Sequence, residues 1–194
     1  MKHKSVFMLI ATIGLSLGIS PKSLANRSSD AQAAAEQAPP ASASQSPAVA
    51  DPKDVESADA LIASLYDVIS GPAGKPRNWE RMYSLFFPGA LLIRTAPGKT
   101  GKLEALVMSP KDYVERAGKY FDAHPFFERE VSRKTHSNGH LQQIFSAYES
   151  SEDASHAKPF AHGVNSIEMF HDGTRWWIMM VMWEEDPPET KKPN

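Results

Sequence analysis

The dipeptide Asp172-Gly173 constrains this chain more than any other feature. It stands between two runs, residues 161–170 and 175–184, that are dense in large apolar side chains. Asp-Gly between such runs predicts a β-hairpin closed by a two-residue turn, because that turn needs positive φ at its central positions. A two-residue turn also sets the register. Counting outward, Met169 faces Trp176, Ile167 faces Ile178, Asn165 faces Met180, and Gly163 faces Met182. Side chains alternate along a strand, so these eight share one face. Asn165 is its one polar member, and the face is expected to point at a core or a cavity. The opposite face pairs Phe170 with Arg175, Glu168 with Trp177, Ser166 with Met179, Val164 with Val181, and His162 with Trp183. Water is a poor neighbour for the row Trp177, Met179, Val181 and Trp183. A second copy of the chain packed there, making a homodimer, is favoured over a locally apolar monomer.

The rest of the chain supplies helices before strands. Ser57 caps a helix whose apolar positions, Ala58, Leu61, Ile62, Leu65, Val68 and Ile69, recur at spacings of three and four. Gly71-Pro72 stops it. Asn78 caps a second helix with Trp79, Met82, Tyr83 and Phe86 on one side, ended by Pro88. Strands are expected over 90–95 and 103–108. Ser109, Pro110 and Asp112 open a third helix with a capping box. Its stripe is Tyr113, Val114, Ala117, Tyr120 and Phe121. Asn138-Gly139 marks a second hairpin. Four strands are therefore expected over 126–136, 141–149, 161–170 and 175–184. Helices followed by an antiparallel meander define an α+β protein.

Outside this domain, 54–186, the composition changes. Residues 1–25 read as a signal peptide: Lys2 and Lys4, an apolar run over 6–19, then Ser23-Leu24-Ala25 with cleavage expected after Ala25. The run is shorter than the ~20 residues a spanning helix needs, so no membrane anchor is expected after cleavage. The expected location is the periplasm or the outside of the cell. Ala, Ser, Pro and Gln fill 21 of the 28 positions over 26–53. That stretch reads as a disordered tether, and 187–194 as a flexible tail. The chain has no cysteine, which excludes disulfides, thiolate metal sites and a lipid-modified cysteine. Cleavage would remove Lys2, Lys4 and Lys22 and no acid, leaving 18 basic against 23 acidic side chains, a net charge of −5. Nucleic acid is not an expected partner for such a surface.

The arrangement resembles the NTF2-like superfamily, the α+β cone of nuclear transport factor 2, ketosteroid isomerase, scytalone dehydratase and the SnoaL-like cyclases. The resemblance rests on the helix over 58–69, on Trp79-Glu80-Arg81-Met82-Tyr83 followed by Phe86-Phe87-Pro88-Gly89-Ala90, and on Gly163-Val164-Asn165-Ser166-Ile167 through Asp172-Gly173-Thr174-Arg175-Trp176-Trp177-Ile178. It implies three N-terminal helices against a curved, mostly antiparallel sheet. It also implies a pocket at the open end of the cone and dimers through the outer sheet face. The superfamily holds enzymes and non-enzymes, so the fold does not fix an activity.

The expected pocket gathers Asn165, Trp79, Tyr83, Tyr113, Trp176 and Met180, with Trp177, Met179, Val181 and Trp183 as the dimer face. Asn165 can orient a ligand but cannot act as a base near neutral pH. Trp79, Tyr83 and Tyr113 are equally at home in a core. Arg94 reads as a pocket cation or a solvated edge charge. No histidine spacing suits a metal, and no cofactor is implied. Gly98-Lys99-Thr100 lacks the earlier glycine and the following helix of a phosphate loop. No reaction is legible, leaving three readings. The first is a binder of a small, partly apolar ligand. The others are a SnoaL-like or ketosteroid-isomerase-like enzyme doing proton transfer, and an interaction module using the outer sheet face. Whether residues 126–136 and 141–149 line the cone with one face or the other is left open.

Overall fold

The computed structural model describes residues 49–186. The expected signal peptide, most of the tether and the tail lie outside the described residues. The first helix, α1 (Pro52–Val55), opens two residues inside the stretch read as tether, where Asp51 caps it by accepting from the Lys53 amide. It is followed by α2 (Ala58–Ile69), α3 (Trp79–Leu85), β1 (Phe86–Pro97), β2 (Leu103–Met108), α4 (Pro110–Ala123), β3 (Phe127–Asn138), β4 (Leu141–Ser151), β5 (Ala161–His171) and β6 (Trp176–Glu185). The fold is α+β, with helices packed on a six-stranded, mostly antiparallel sheet.

The three long helices start where their caps require. The Ser57 hydroxyl accepts from the Ala60 amide at 3.0 Å, and Asn78 Oδ1 accepts from the Arg81 amide at 3.0 Å. Ser109 and Asp112 form the full capping box of α4. Each cap satisfies an amide that the helix itself leaves without a partner. Leu61, Ile62, Leu65, Val68 and Ile69 of α2 are buried in one cluster with Met82, Leu85, Phe121, Ile144 and Ile167. Fully burying a side chain of that size contributes about 1.5–3 kcal/mol.

The sheet order is β2-β1-β6-β5-β4-β3, with β1 and β6 parallel and the other neighbours antiparallel. One row across it runs Met108, Leu92, Val181, Ile167, Ile144, Thr135 and faces the helices. The adjacent row, Val107, Ile93, Met182, Ser166, Phe145, Lys134, faces away. Glu128, Glu130, Ser146, Tyr148, Ser150 and Asn165 share the inner face.

The last hairpin departs from its expected register. The turn spans four residues, closed by Asp172 N–H donating to Arg175 O at 3.1 Å. The Asp172 carboxylate caps it, with Oδ1 accepting from Thr174 N at 2.8 Å and Arg175 N at 2.9 Å. His171 therefore pairs with Trp176, and Met169 with Ile178. A β-bulge then leaves Met179 unopposed, so Glu168 pairs with Met180 and Ile167 with Val181. One extra residue flips every later side chain on that strand. Val181 and Trp183, expected on the dimer face, point inward. Met180 and Met182, expected inside, point outward. Trp177 does stand on the outer side, but its own subunit covers it. The Arg175 guanidinium lies 3.5 Å from its ring centroid, Phe87 meets it edge-on, and its indole N–H donates to Asp172 Oδ2 at 2.7 Å. The dimer face as composed from sequence does not exist. Met179, half-buried in the bulge, does not belong to a continuous row.

Candidate functional site

Three elements bring polar groups together between α2 and the inner sheet face. Tyr66, on the buried side of α2, reaches Ser146 of β4 and Asn165 of β5. Asn165 Nδ2 donates to the Tyr66 hydroxyl at 3.0 Å, and the Tyr66 and Ser146 hydroxyls lie 2.7 Å apart. Ser146 Oγ donates to Glu130 Oε1 at 2.6 Å. A hydroxyl has one proton, so Ser146 spends its own on Glu130 and the Tyr66 hydroxyl must donate to Ser146. The direction is thus fixed from Asn165 through Tyr66 and Ser146 to Glu130. Burial pushes the Tyr66 phenol up to about 12, against the pull of Ser146 and Asn165. Arg133 closes the chain by bonding Glu130 through Nε at 2.8 Å and Asp59 through Nη1.

Glu128 stands apart from that chain. It opposes Ser150 on the inner face, and its backbone amide donates to Ser70 Oγ at 3.0 Å. Ser70, at the end of α2, donates to Tyr66 O at 2.7 Å, so this strand is fastened to the helix beside Glu128. Ser150 Oγ donates to Glu128 Oε2 at 2.9 Å. Burial pushes the Glu128 carboxyl up to about 7; Ser150 and Asn165 oppose the rise and Glu185 adds to it. The Tyr113 and Tyr148 phenols are both raised, first by burial and then by the Glu128 charge. Glu128 has no ion-pair partner among the described residues.

A cleft of about 380 Å³ opens between α2 and β3. Ile62, Ala63, Tyr66 and Asp67 form one wall, Phe127 to Glu130 with Arg133 the other, and Ala154 and His156 one end. Since β3 is the outermost strand, the cleft takes in Glu128 and Glu130 from its inner face and Arg129 from its outer one. Arg129 bonds Glu149 Oε1 through Nε at 2.7 Å. His156 has a left-handed backbone, φ 51°, and its buried Nδ1 has no hydrogen bond, standing 3.6 Å from Glu149 Oε1. A second hollow, near Asp51, Asp54 and Glu80, is spanned by Arg81, which bonds Asp54 at 2.7 Å and also Asp67. Among the described residues no three His, Asp or Glu side chains converge as a metal would need.

The expected pocket residues do not all meet. Asn165 is buried inside as expected, and Tyr113 stands edge-on to Trp183, the residue paired with Asn165, with ring centroids 6.0 Å apart. Trp79 packs on Phe121 at 5.9 Å and over Gly118, as a core residue does. Tyr83 is half-buried near the charges of Glu80 and Glu115. Trp176 sits at the turn end of the hairpin, edge-on to His171. Met180 lies on the outer face. Arg94 pairs with Trp183 and is partly exposed. Tyr66, Ser146, Glu128, Glu130 and His156 were missed. A regular two-residue hairpin at Asn138-Gly139 would place Glu130 and Tyr148 on opposite faces. The bulge between Glu130 and Ser132 brings them together. Tyr66 carried a signal, since it lies four residues before Ser70 and one after Leu65 on a buried helix.

Helices covering the inner face of a six-stranded mixed sheet, with acids and hydroxyls inside, define an α+β protein. The chain is similar to an NTF2-like protein of unknown function from Pseudomonas putida KT2440, with 10% identity over 68% of this chain and 84% of that one, at a TM-score of 0.49. It is also similar to a protein of unknown function with a cystatin-like fold from Nostoc punctiforme PCC 73102, with 12% identity, 66% and 86% coverage and a TM-score of 0.48. A third is an NTF2-like protein of unknown function from Silicibacter pomeroyi DSS-3, with 16% identity, 66% and 92% coverage and a TM-score of 0.45. Likenesses at this identity carry no functional assignment. No family model matches the chain, and no curated protein matches it in sequence.

Proposed function

We propose that this chain binds a small, partly apolar molecule in the cleft between α2 and β3. The observation that carries the reading is one cleft that joins apolar walls, Ile62, Ala63 and Phe127, to an inward carboxyl, Glu128. A few polar groups set in an apolar hollow of this size suit a small ligand. Asn165 stands behind this site, holding Tyr66. The test is native mass spectrometry of the protein purified from its source, beside an Ala63→Trp variant. Ala63 is exposed on α2 and lines the cleft, so tryptophan there fills the hollow without entering the core. A bound molecule in the wild type and its loss in the variant are expected. An empty wild type, or equal occupancy in the variant, overturns the reading.

Glu128 favours a second reading, proton transfer to and from a bound carbonyl compound. A general acid–base works best when its proton affinity lies near the operating pH, and Glu128 at about 7 meets that condition. Glu128→Gln should then abolish solvent-deuterium exchange at the α-carbon of such a compound. Unchanged exchange removes the enzyme reading.

The export reading stands on residues 1–25. Expression in a bacterium and N-terminal sequencing of the exported chain should give Asn26 as first residue. The same proposal has two copies pairing through the outer sheet face, on the composition Leu91, Ile93, Val107, Phe145, Val164 and Met182.

A further inference from the structure

The acids around the cleft are matched one by one, with a single exception. Asp67 bonds Arg81, Glu130 and Asp59 bond Arg133, and Glu149 bonds Arg129. Arg129 and Arg133 are therefore both committed to carboxylates, and neither is free for a ligand's anion. Glu128 alone lines the cleft with no guanidinium against it. Glu128 lines the cleft and its carboxyl takes a hydrogen bond from Ser150, and a buried carboxylate without a counter-ion favours a cation brought in from outside. The nearby rings suit the same charge. The Tyr66 hydroxyl already accepts from Asn165 and donates to Ser146, so this residue offers the cleft chiefly its ring, and Phe127 offers another. Aromatic faces attract ammonium groups.

A second observation marks the cleft as built for a polar visitor. The His156 side chain is 7% exposed and lines the cleft, and its Nδ1 makes no hydrogen bond, with Glu149 Oε1 3.6 Å away. It is held there in the one left-handed non-glycine conformation among the described residues. Buried polar atoms without partners and strained backbones are rare, and they gather where ligands are held.

We propose that the molecule bound in this cleft carries a protonated amine seated against Glu128, with an apolar body along Ile62, Ala63 and Phe127. The inference rests on the reading of the cleft as a ligand site. It also predicts a proton count. A neighbouring ammonium favours the ionised carboxylate, so binding near pH 7 should expel roughly half a proton from Glu128.

The experiment is isothermal titration of the full chain with octylamine, octanol and octanoate near neutral pH, in two buffers of different ionisation enthalpy. Octylamine should bind at least ~10-fold more tightly than the other two and release protons. Glu128→Gln should erase both the preference and the proton release while still melting cooperatively. Ala63→Trp should abolish all binding. If octanol or octanoate binds as tightly as octylamine and Ala63→Trp removes it, the amine is wrong and the cleft reading survives. If none of the three binds, or Ala63→Trp changes nothing, the amine falls together with the cleft reading.

Discussion

Glu128 shows what one misplaced count can hide. It is an ordinary acid in a strand rich in Arg, Lys and Glu, and only its position before the β3 bulge, on the side away from the turn, and beside Ser70 turns it inward. Its raised proton affinity has a thermodynamic sign. The folded state holds the proton more tightly than the unfolded chain, whose Glu titrates near 4.5. Stability should therefore fall as pH rises from about 4.5 through about 7, then level off. The total is at most about 3 kcal/mol. Urea unfolding of Glu128→Gln across that range should be flatter than wild type and more stable at pH 8; a parallel pair of curves would refute the account. Gly163 makes a second residue-scale prediction. A Cβ there would meet Tyr148 Oη at 2.5 Å and the backbone oxygen of Glu184. The backbone cannot retreat without breaking the β5–β6 ladder. Gly163→Ala should cost about 1–3 kcal/mol and shift the fluorescence of neighbouring Trp183.

Much of the element level was legible, and the exceptions have a common cause. The helix caps at Ser57, Asn78 and Ser109 act locally, so sequence spacing alone places α2, α3 and α4. The hairpins at Asn138-Gly139 and Asp172-Gly173 were legible as hairpins for the same reason. Register was not, because at Asp172 the side chain competes with the turn type that the dipeptide suggests. Its carboxylate takes amides from Thr174 and Arg175, widening the turn, and its other oxygen takes the Trp177 indole. The bulge at Met179 depends on packing against distant strands and leaves no local mark. The wider turn shifts the pairing by two residues and keeps the faces, whereas the bulge moves Val181 and Trp183 inside and Met180 outside. Of the expected pocket, the bulge removes Met180. The Asp172 carboxyl is held well below the usual range, first by the Trp177 indole and then by Thr174. Its contribution is thus present above the ordinary carboxylate range and is lost as pH falls through the lowered value. Asp172→Ala should drop the melting temperature by roughly 4–8 °C at neutral pH and increase the exposure of Trp177 to acrylamide quenching. An unchanged melt and quenching profile would mean that the turn holds without its cap.

At the scale of the whole molecule, the outer sheet face poses the remaining physical problem. Val107 is 56% exposed, Phe145 43%, Leu91 40%, Val164 38% and Met182 37%, and the register brings them onto adjoining rows across five strands. Contiguous apolar surface of this kind on a sheet is seldom left to water. Lys134 and His136 on β3 form a polar edge, and Glu168 and Glu184 stand in the rows of Leu91 and Val164. A hydrophobic centre with a polar edge is the anatomy of a protein interface. A twofold pairing would set the row Ile93, Met182 and Phe145 against its copy and bury the patch on both sides. A stable pair needs about 800 Å² from each partner, an area a five-stranded face can supply. Light scattering of the full chain at micromolar concentration should therefore give twice the 21.4 kDa monomer mass. Met182→Glu places a charge at the centre of the face and should yield a monomer that still melts cooperatively, since Met182 is outside the core. Phe145→Glu should do the same from the neighbouring strand. Val131→Glu, in the β3 bulge and off these rows, should leave the pair intact. A wild type that scatters as a monomer would refute the pairing, and so would a Met182→Glu variant that remains dimeric.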